Sequence, residues 1–337
     1  MTRLLLLFGV LTITACSSTT QETATPTESK YATKGSVERL DSAINQIIPA
    51  GARSEVLADG FDWSEGPVWV AEGNYLLFSD VPANSIYQWS EADSILLYLN
   101  PSGYTQGAFE GKEPGSNGLI LDASGHLVLC QHGERQVARM NAPLNNPQPS
   151  YTTLAGQYEG KRFNSPNDAV FHSNGDLYFT DPPYGLPDSS ARELPFQGVY
   201  RLSAADSSVT LLTDELSRPN GIVLSPDEQT LYVANSDPER ALWMAYDVTQ
   251  AGIANGRVFY DATEQTSQAP GLPDGMVMHS QGYLFATGPG GVWVFGPNGD
   301  HLGTILTGEA TANCTLDEDE STLYITADGY LLRLRLK

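Results

Sequence analysis

Positive charge and cysteine are both scarce in this 337-residue chain. It has 18 Lys and Arg against 40 Asp and Glu, which gives a formal net charge of −22. This acidic excess argues against nucleic acid as a partner and against a polybasic membrane contact. Two of the three cysteines, Cys130 and Cys314, lie in apolar strand-like segments and are predicted to be separate buried thiols rather than a disulfide. The chain has no Gly-x-Ser-x-Gly motif, which disfavours a serine nucleophile elbow.

The first 16 residues resemble a targeting signal. Arg3 precedes an apolar run, residues 4–13, that is too short for a permanent membrane span. Residues 13–16 resemble a bacterial lipoprotein cleavage box, so Cys16 is expected to become the lipidated first residue, and Ser17 favours sorting to the outer membrane. The expected location is the cell envelope, on the periplasmic face of the outer membrane. An ordinary secretory signal is the alternative.

The rest of the chain is dominated by one sequence pattern that occurs six times. Each copy has a polar residue, a usually small residue, an apolar run, a turn rich in Gly, Asp or Glu, and a second apolar run. Successive copies lie about 50 residues apart, with a shorter last interval, and this period is typical of propellers and related arrays. The six lead residues are Glu65, Asn117, Asn167, Asn220, Asp274 and Asn313.

The repeat predicts an all-β fold, a six-bladed β-propeller with four-stranded blades. Each copy reads as a hairpin, and two more short strands fit between copies, as at residues 198–202 and 209–212. The last copy is followed by only a third strand, whereas residues 54–59 resemble a fourth. We therefore expect this N-terminal segment to close the ring, which removes exposed sheet edges. An open solenoid would leave that strand unexplained.

The domain organisation follows from this repeat. Residues 54–337 are assigned to one propeller domain. Residues 17–36 are rich in Ser, Thr and Glu and are expected to form a disordered tether. Residues 37–53 are expected to form a short helix and a lead-in, because Val37, Leu40, Ile44 and Ile47 recur at helical spacing.

The lead residues predict a metal site. The innermost strands of a propeller line its channel and start on one face, so the six lead side chains should ring the channel mouth. Their carboxylate and amide oxygens suit calcium or magnesium, and the absence of Cys and His from the ring disfavours zinc and copper. Alternatively, Asn and Asp stabilise turns where strands begin, although this does not easily explain Glu65.

Further candidates lie after the second strand of each copy, where residues should rim the pocket. His132, Asp181 and Tyr184 are expected there as substrate contacts, and His132 is also a candidate for proton transfer. Asp168 stands where other copies have Gly or Cys, and its charge beside a proposed ligand suggests a catalytic or ligand-supporting role.

Several motifs resemble the senescence marker protein/gluconolactonase/luciferin-regenerating family, especially its bacterial gluconolactonase-like branch. They are SEGPVW (64–69), SPNDAV (165–170), FTDPPYG (179–185), RPNGIVLSPDEQTLYVAN (218–235) and PDGM (273–276). The resemblance implies a six-bladed propeller with a divalent metal in its channel, usually calcium, with magnesium, manganese and zinc as alternatives. It places the metal ligands on Glu65, Asn167, Asn220 and Asp274, and leaves Asn117 and Asn313 as substrate-binding polar groups.

The resemblance also implies the reaction, hydrolysis of a sugar lactone in which the metal polarises the carbonyl for attack by water. Asp274 is the first candidate to accept the water proton, with Asp168 and Asp181 as alternatives. The expected partner is a small-molecule lactone, the only expected membrane contact is the N-terminal lipid anchor, and the chain is expected to be a monomer. Two other functions remain open: a related metal-dependent esterase or phosphotriesterase, and a non-catalytic lipid-anchored sugar-binding propeller.

Overall fold

The structure, a computed structural model, describes residues 30–337. The predicted signal segment, Cys16 and the tether up to residue 29 lie outside the described residues. In the described part, small antiparallel sheets follow one another around a ring, and the chain is a six-bladed β-propeller, as the repeat predicts. None of its described helices is long and apolar enough to cross a membrane.

Three N-terminal strands precede the first blade, and the strands of each blade are numbered in chain order. The N-terminal strands are β1 (Thr33–Lys34), β2 (Ser36–Arg39) and β3 (Ser54–Asp59). Blade one has β4 (Ser64–Val70), β5 (Tyr75–Asp80), β6 (Ser85–Ser90) and β7 (Ser94–Leu99). Blade two has β8 (Ser116–Leu121), β9 (Leu127–Gln131), β10 (Gln136–Met140) and β11 (Tyr151–Ala155), followed by a small hairpin of β12 (Gln157–Tyr158) and β13 (Lys161–Arg162). Blade three has β14 (Ala169–Phe171), β15 (Leu177–Asp181), β16 (Gly198–Leu202) and β17 (Val209–Thr213).

The last three blades repeat this arrangement. Blade four has β18 (Pro219–Leu224), β19 (Thr230–Asp237), β20 (Arg240–Thr249) and β21 (Gly252–Asp261). Blade five has β22 (Met276–Met278), β23 (Leu284–Gly288), β24 (Gly291–Phe295) and β25 (His301–Leu306). Blade six has β26 (Thr311–Leu316), β27 (Thr322–Ala327) and β28 (Tyr330–Arg335). Short 3-10 helices lie at Ser42–Gln46, Ala71–Gly73, Ser189–Ala191 and Thr263–Ser267.

The N-terminal segment closes the ring, as predicted. Strand β3 pairs antiparallel with β28, with Val56 opposite Leu332, and so supplies the fourth strand of blade six. This pairing joins the two ends of the propeller and satisfies the edge of β28, which would otherwise be exposed.

The segment before β3 differs from the expectation of a tether to residue 36 and a helix from residue 37. Strand β1 pairs with β3, and β2 pairs with β25, with Val37 opposite Ile305, so both add a fifth strand to a blade. The helix is confined to Ser42–Gln46, where Asp41 accepts a hydrogen bond from Ala43 N at 2.7 Å. The physical reason is that the outer edges of blades five and six offer unpaired backbone groups, which these residues satisfy.

The glycine at the second position of four repeats packs against the following blade. A Cβ on Gly66 would lie 2.0 Å from the carbonyl oxygen of Asn117, and one on Gly221 would lie 2.1 Å from that of Asp274. Hydroxyl groups of the second strands add to this contact, since Thr180 Oγ1 donates to the Asn220 carbonyl at 2.7 Å. The innermost strands are therefore held close together, and their lead residues have fixed positions around the channel.

The two cysteines of the propeller are separate free thiols, as predicted. Both are buried, Cys130 in β9 and Cys314 in β26. Burial raises the pKa of both thiols well above its usual value, which disfavours the reactive thiolate.

Candidate active site

A cavity of about 330 Å³ opens at the channel mouth, where the innermost strands begin. Five of the six predicted lead residues line it: Glu65, Asn117, Asn167, Asn220 and Asp274. The other lining residues are Trp63, Glu113, Tyr184, Arg218, Ser236, Gly271, Leu272, Ala310 and Thr311. The structure thus brings all four proposed metal ligands to one cavity.

A second set of lining residues was missed in the sequence. Trp63, Arg218, Leu272 and Thr311 each stand two positions before a lead residue and line the cavity. Alternate residues of an extended chain point to the same side. A spacing of two residues from the lead residues was therefore a usable signal for these four lining residues.

Glu65 is a buried carboxylate that lines the cavity. It is 2% exposed, and it accepts hydrogen bonds from Gly66 N at 3.1 Å and Trp63 Nε1 at 3.4 Å. Burial raises the pKa of Glu65 to about 8, and the nearby carboxylates of Asp168 and Glu113 add to the rise. The carboxylate therefore lacks the compensating positive charge that its ionised form needs.

Asp274 is the second carboxylate of the proposed ligand set, and it is partly buried. Burial raises its pKa well above the usual value, and the charge of Glu65 is the next largest cause, followed by Asp168 and Glu113. Of the described residues that line the cavity, Arg218 alone is cationic. Carboxylates that repel one another in a buried site favour a bound cation, which would lower both pKa values.

The two amides of the proposed ligand set have their nitrogens engaged. Asn220 Nδ2 donates to Ser236 Oγ at 2.9 Å, and Asn167 Nδ2 lies 3.4 Å from His132 Nε2. Each amide oxygen therefore points away from that partner. A third amide oxygen, Asn117 Oδ1, is buried without a hydrogen-bond partner among residues 30–337.

These donors fit a hard divalent cation. Two carboxylates and two oriented amide oxygens match the ligands that calcium and magnesium take, and the carboxylates balance the charge of a divalent ion. Within residues 30–337, no group of three or more His, Cys, Asp or Glu side chains is placed to hold a metal. Two of the four proposed ligands are Asn side chains, so the proposed set does not contain three residues of these four types.

Asp168, a predicted catalytic residue, is not among the residues that line the cavity. It is 8% exposed and accepts hydrogen bonds from Ala169 N at 2.9 Å and from Ile222 N, in the next blade, at 3.4 Å. Burial raises its pKa to about 7. Its carboxylate thus bridges blades three and four from behind the cavity, and it acts on Glu65 and Asp274 through its charge.

Three of the predicted substrate contacts also lie behind the cavity wall. Asn313 Oδ1 accepts from Cys314 N at 2.8 Å, and His132 is fully buried. Asp181 is fully buried too, and its carboxylate accepts hydrogen bonds from the backbone nitrogens of Asn164 and Ser165, both at 2.8 Å. These contacts fix the chain leading to Asn167, and they leave no surface of Asp181 for a substrate.

Tyr184 and Glu113 complete the cavity wall. Tyr184 lines the cavity as predicted, and burial, followed by the charge of Asp274, raises its pKa well above the usual value, so it is a hydrogen-bond donor. Glu113 was missed, since it lies on the irregular segment between β7 and β8, where the repeat gives no signal. Glu113 Oε2 lies 3.0 Å from His132 Nδ1.

The chain is similar to known proteins over most of its length. The sequence matches the family model described as the SMP-30/Gluconolactonase/LRE-like region over residues 63–329. It is 39% identical over 333 residues to a gluconolactonase of Zymomonas mobilis, a match that covers 94% of this chain and 92% of that protein.

Solved structures show the same likeness. A gluconolactonase from Xanthomonas campestris has a TM-score of 0.78 and 32% identity, with 90% of this chain and 97% of that chain covered. A calcium-binding protein, regucalcin, from Agrobacterium tumefaciens has a TM-score of 0.63 and 18% identity, with 84% and 94% covered, which is a likeness of fold alone.

Proposed function

We propose that the chain, which belongs to the SMP-30/gluconolactonase/LRE-like family and is a lactone hydrolase, opens sugar lactones with a divalent cation bound in its channel. Calcium is the first candidate for this cation. The observation that carries the proposal is that Glu65, Asp274 and two oriented amides, Asn167 and Asn220, line one cavity. When bound, the cation would supply positive charge that polarises the ester carbonyl.

The chain's own residues have separate tasks in this proposal. Glu65, Asn167, Asn220 and Asp274 hold the cation. Water attacks the carbonyl carbon and gives up a proton, the bond between the carbonyl carbon and the ring oxygen breaks, and the ring oxygen takes up that proton and leaves as a hydroxyl group. Asp274 is the candidate to accept the proton of the water, because it lines the cavity whereas Asp168 and Asp181 do not.

The lining favours a polyhydroxylated lactone. Asn117, Glu113, Arg218 and Tyr184 offer both hydrogen-bond donors and acceptors around the cavity, and these suit the hydroxyl groups of a sugar. Trp63 offers an aromatic surface, and a sugar ring presents apolar C–H groups that can pack on it. A lactone without hydroxyl groups would leave these polar side chains unsatisfied.

The test is a substrate panel on metal-stripped protein, with calcium, magnesium, manganese or zinc added back. We expect calcium to restore hydrolysis of glucono-1,5-lactone, with lower activity on δ-valerolactone and on a phosphotriester. A preference for the phosphotriester would favour the related esterase or phosphotriesterase function. Metal and sugar binding without turnover of any lactone would favour the sugar-binding propeller.

We also propose that Cys16 is lipidated and anchors the protein at the periplasmic face of the outer membrane. The support is the sequence of residues 1–17 alone. Radiolabelled palmitate should enter the wild-type protein and not a Cys16→Ser variant, and the wild-type protein should fractionate with outer membranes. Release of unlabelled wild-type protein into the periplasm would contradict the anchor.

A further inference from the structure

We propose that His132, oriented by Glu113, is a positioning residue that turns the amide oxygen of Asn167 towards the cation site. This inference rests on the proposed function, since it assigns a task to residues that surround one proposed ligand. Neither residue needs to contact the substrate for this role.

The three side chains form a continuous hydrogen-bonded chain. His132 Nδ1 lies 3.0 Å from Glu113 Oε2, and His132 Nε2 lies 3.4 Å from Asn167 Nδ2. The His132 side chain is fully buried, whereas that of Glu113 is 30% exposed and lines the cavity. These hydrogen bonds therefore connect Glu113, which lines the cavity, through the buried His132 to the proposed ligand Asn167, which also lines the cavity.

The chemistry of the groups fixes the direction of both hydrogen bonds. An amide nitrogen can only donate, so His132 Nε2 must accept from Asn167, and the ring proton then resides on Nδ1. From Nδ1 this proton is donated to the carboxylate of Glu113, which can only accept when ionised. Glu113 thus selects the tautomer, and the tautomer selects the orientation of the amide.

The orientation matters because the two ends of an amide have similar shapes and opposite chemistry. Rotated by half a turn, Asn167 would present its NH₂ group, which cannot bind a cation. The other amide of the set, Asn220, is held in the same sense by a different partner, Ser236 Oγ, at 2.9 Å. Both amide ligands therefore have an acceptor placed behind the nitrogen.

The packing around His132 prevents it from moving away. Gly185 approaches so closely that a Cβ there would lie 2.6 Å from His132 Cβ and 3.0 Å from Ser165 Cβ. The glycine of the FTDPPYG motif thus allows the chain after β15 to cover the imidazole. A ring held in this way is suited to orientation of a neighbour rather than to exchange with substrate.

The first test is a double-mutant cycle on calcium affinity, measured by isothermal titration calorimetry of metal-stripped protein. We expect His132→Ala to weaken binding by roughly 10–100-fold, the range for residues that orient metal ligands. His132→Gln should recover most of the affinity, because its amide oxygen can accept from Asn167. In an Asn167→Asp background, where both ends of the group are oxygens, His132→Ala should not weaken binding.

The outcomes separate this inference from the proposed function. Wild-type protein without affinity for calcium or another divalent cation would overturn the proposed function. Wild-type affinity retained in His132→Ala, or an equal loss with and without the Asn167→Asp substitution, would overturn only the positioning role. Thermal unfolding of each metal-free variant checks that it is folded.

The second test needs no folded alanine variant. ¹⁵N-histidine NMR of the metal-free wild-type protein reports which ring nitrogen carries the proton, and His132→Gln assigns the signal. We expect the Nδ1–H form for His132. An Nε2–H form would overturn the inference, because that nitrogen could not then accept from Asn167.

Discussion

Asn220 Nδ2 donates to Ser236 Oγ over 2.9 Å, and the same hydroxyl donates to the Pro273 carbonyl oxygen over 2.5 Å. Ser236 lies near the end of the second strand of blade four. Its hydroxyl group thus connects the proposed ligand Asn220 to Pro273, the residue before the proposed ligand Asp274. One hydroxyl group therefore helps to set the separation of two groups that would share a cation.

Removal of this hydroxyl should damage the site without damaging the fold. In Ser236→Ala, Asn220 loses its acceptor, so we expect calcium affinity and kcat/KM for glucono-1,5-lactone to fall by about tenfold. Calorimetry and steady-state kinetics measure the two effects. Ser124→Ala, at an exposed turn of blade two, is the matched control and should match wild type. Equal behaviour of the two variants would contradict the role of Ser236.

Replacement of Glu65 should separate stability from function. The pKa of Glu65 is raised from 4.5 to about 8 in the folded, metal-free protein, so the folded state binds this proton more tightly than the unfolded chain. Its contribution to stability is therefore present below pH about 4.5 and is lost as pH rises through about 8, on the order of 3–5 kcal/mol.

We expect metal-free wild type to lose thermal stability between pH 5 and pH 9, and Glu65→Gln to lose less. Calcium should stabilise wild type at pH 9, because it binds the ionised form, and should not stabilise Glu65→Gln. Differential scanning calorimetry at several pH values measures both effects. Parallel stability curves for the two proteins would contradict an uncompensated carboxylate at position 65.

The close packing of the innermost strands predicts a large effect of one methyl group. A Cβ at Gly221 would lie 2.1 Å from the Asp274 carbonyl oxygen, so Gly221→Ala should lower the free energy of unfolding by about 2–3 kcal/mol. At Gly156 the nearest atom is a side-chain methyl of Thr153 at 3.2 Å, and Gly156→Ala should change little. Urea unfolding of both variants checks this, and similar midpoints would contradict the packing described here.

Arg218 should determine preference among lactones. Its guanidinium lines the cavity mouth and makes no hydrogen bond or ion pair with a side chain of residues 30–337, so it is available to substrate hydroxyl groups. A charged hydrogen bond contributes roughly 1.5–3 kcal/mol, so Arg218→Ala should lower kcat/KM for glucono-1,5-lactone by at least about tenfold.

A lactone without hydroxyl groups provides the control for this prediction. The activity of Arg218→Ala on δ-valerolactone should stay within about twofold of wild type, since that substrate offers Arg218 no hydroxyl partner. Arg257→Ala, an exposed residue of β21, should leave both substrates unaffected. An equal loss on the two lactones would assign Arg218 a role other than hydroxyl recognition.

The propeller and the floor of its cavity could be predicted because their signals are local. A lead residue such as Glu65 and a turn between two apolar runs recur in each copy, and a small residue such as Gly66 recurs in most, so they indicate where each innermost strand starts. The closure of the ring could also be predicted, because residues 54–59 resemble the fourth strands of other blades, and they pair with β28.

The residues whose positions differ from the sequence predictions are those that depend on contacts between segments separated along the chain. His132 follows the second strand of blade two and Asp181 ends that of blade three, but both side chains are buried, and the backbone at Gly185 packs on His132. Glu113 reaches the cavity from an irregular segment without a periodic pattern. Strand β1 pairs with β3 beyond the intervening 3-10 helix, and β2 pairs with β25, which is far away in sequence, and no local spacing encodes either pairing.

The most direct test of the account is a calcium titration of metal-stripped protein, with binding and glucono-1,5-lactone hydrolysis followed together. We predict that activity rises in proportion to bound calcium and levels off at one equivalent, and that folded Asp274→Asn stays inactive throughout. Full activity in the metal-stripped protein, or in Asp274→Asn, would contradict a lactone hydrolase that works through a cation held in its channel.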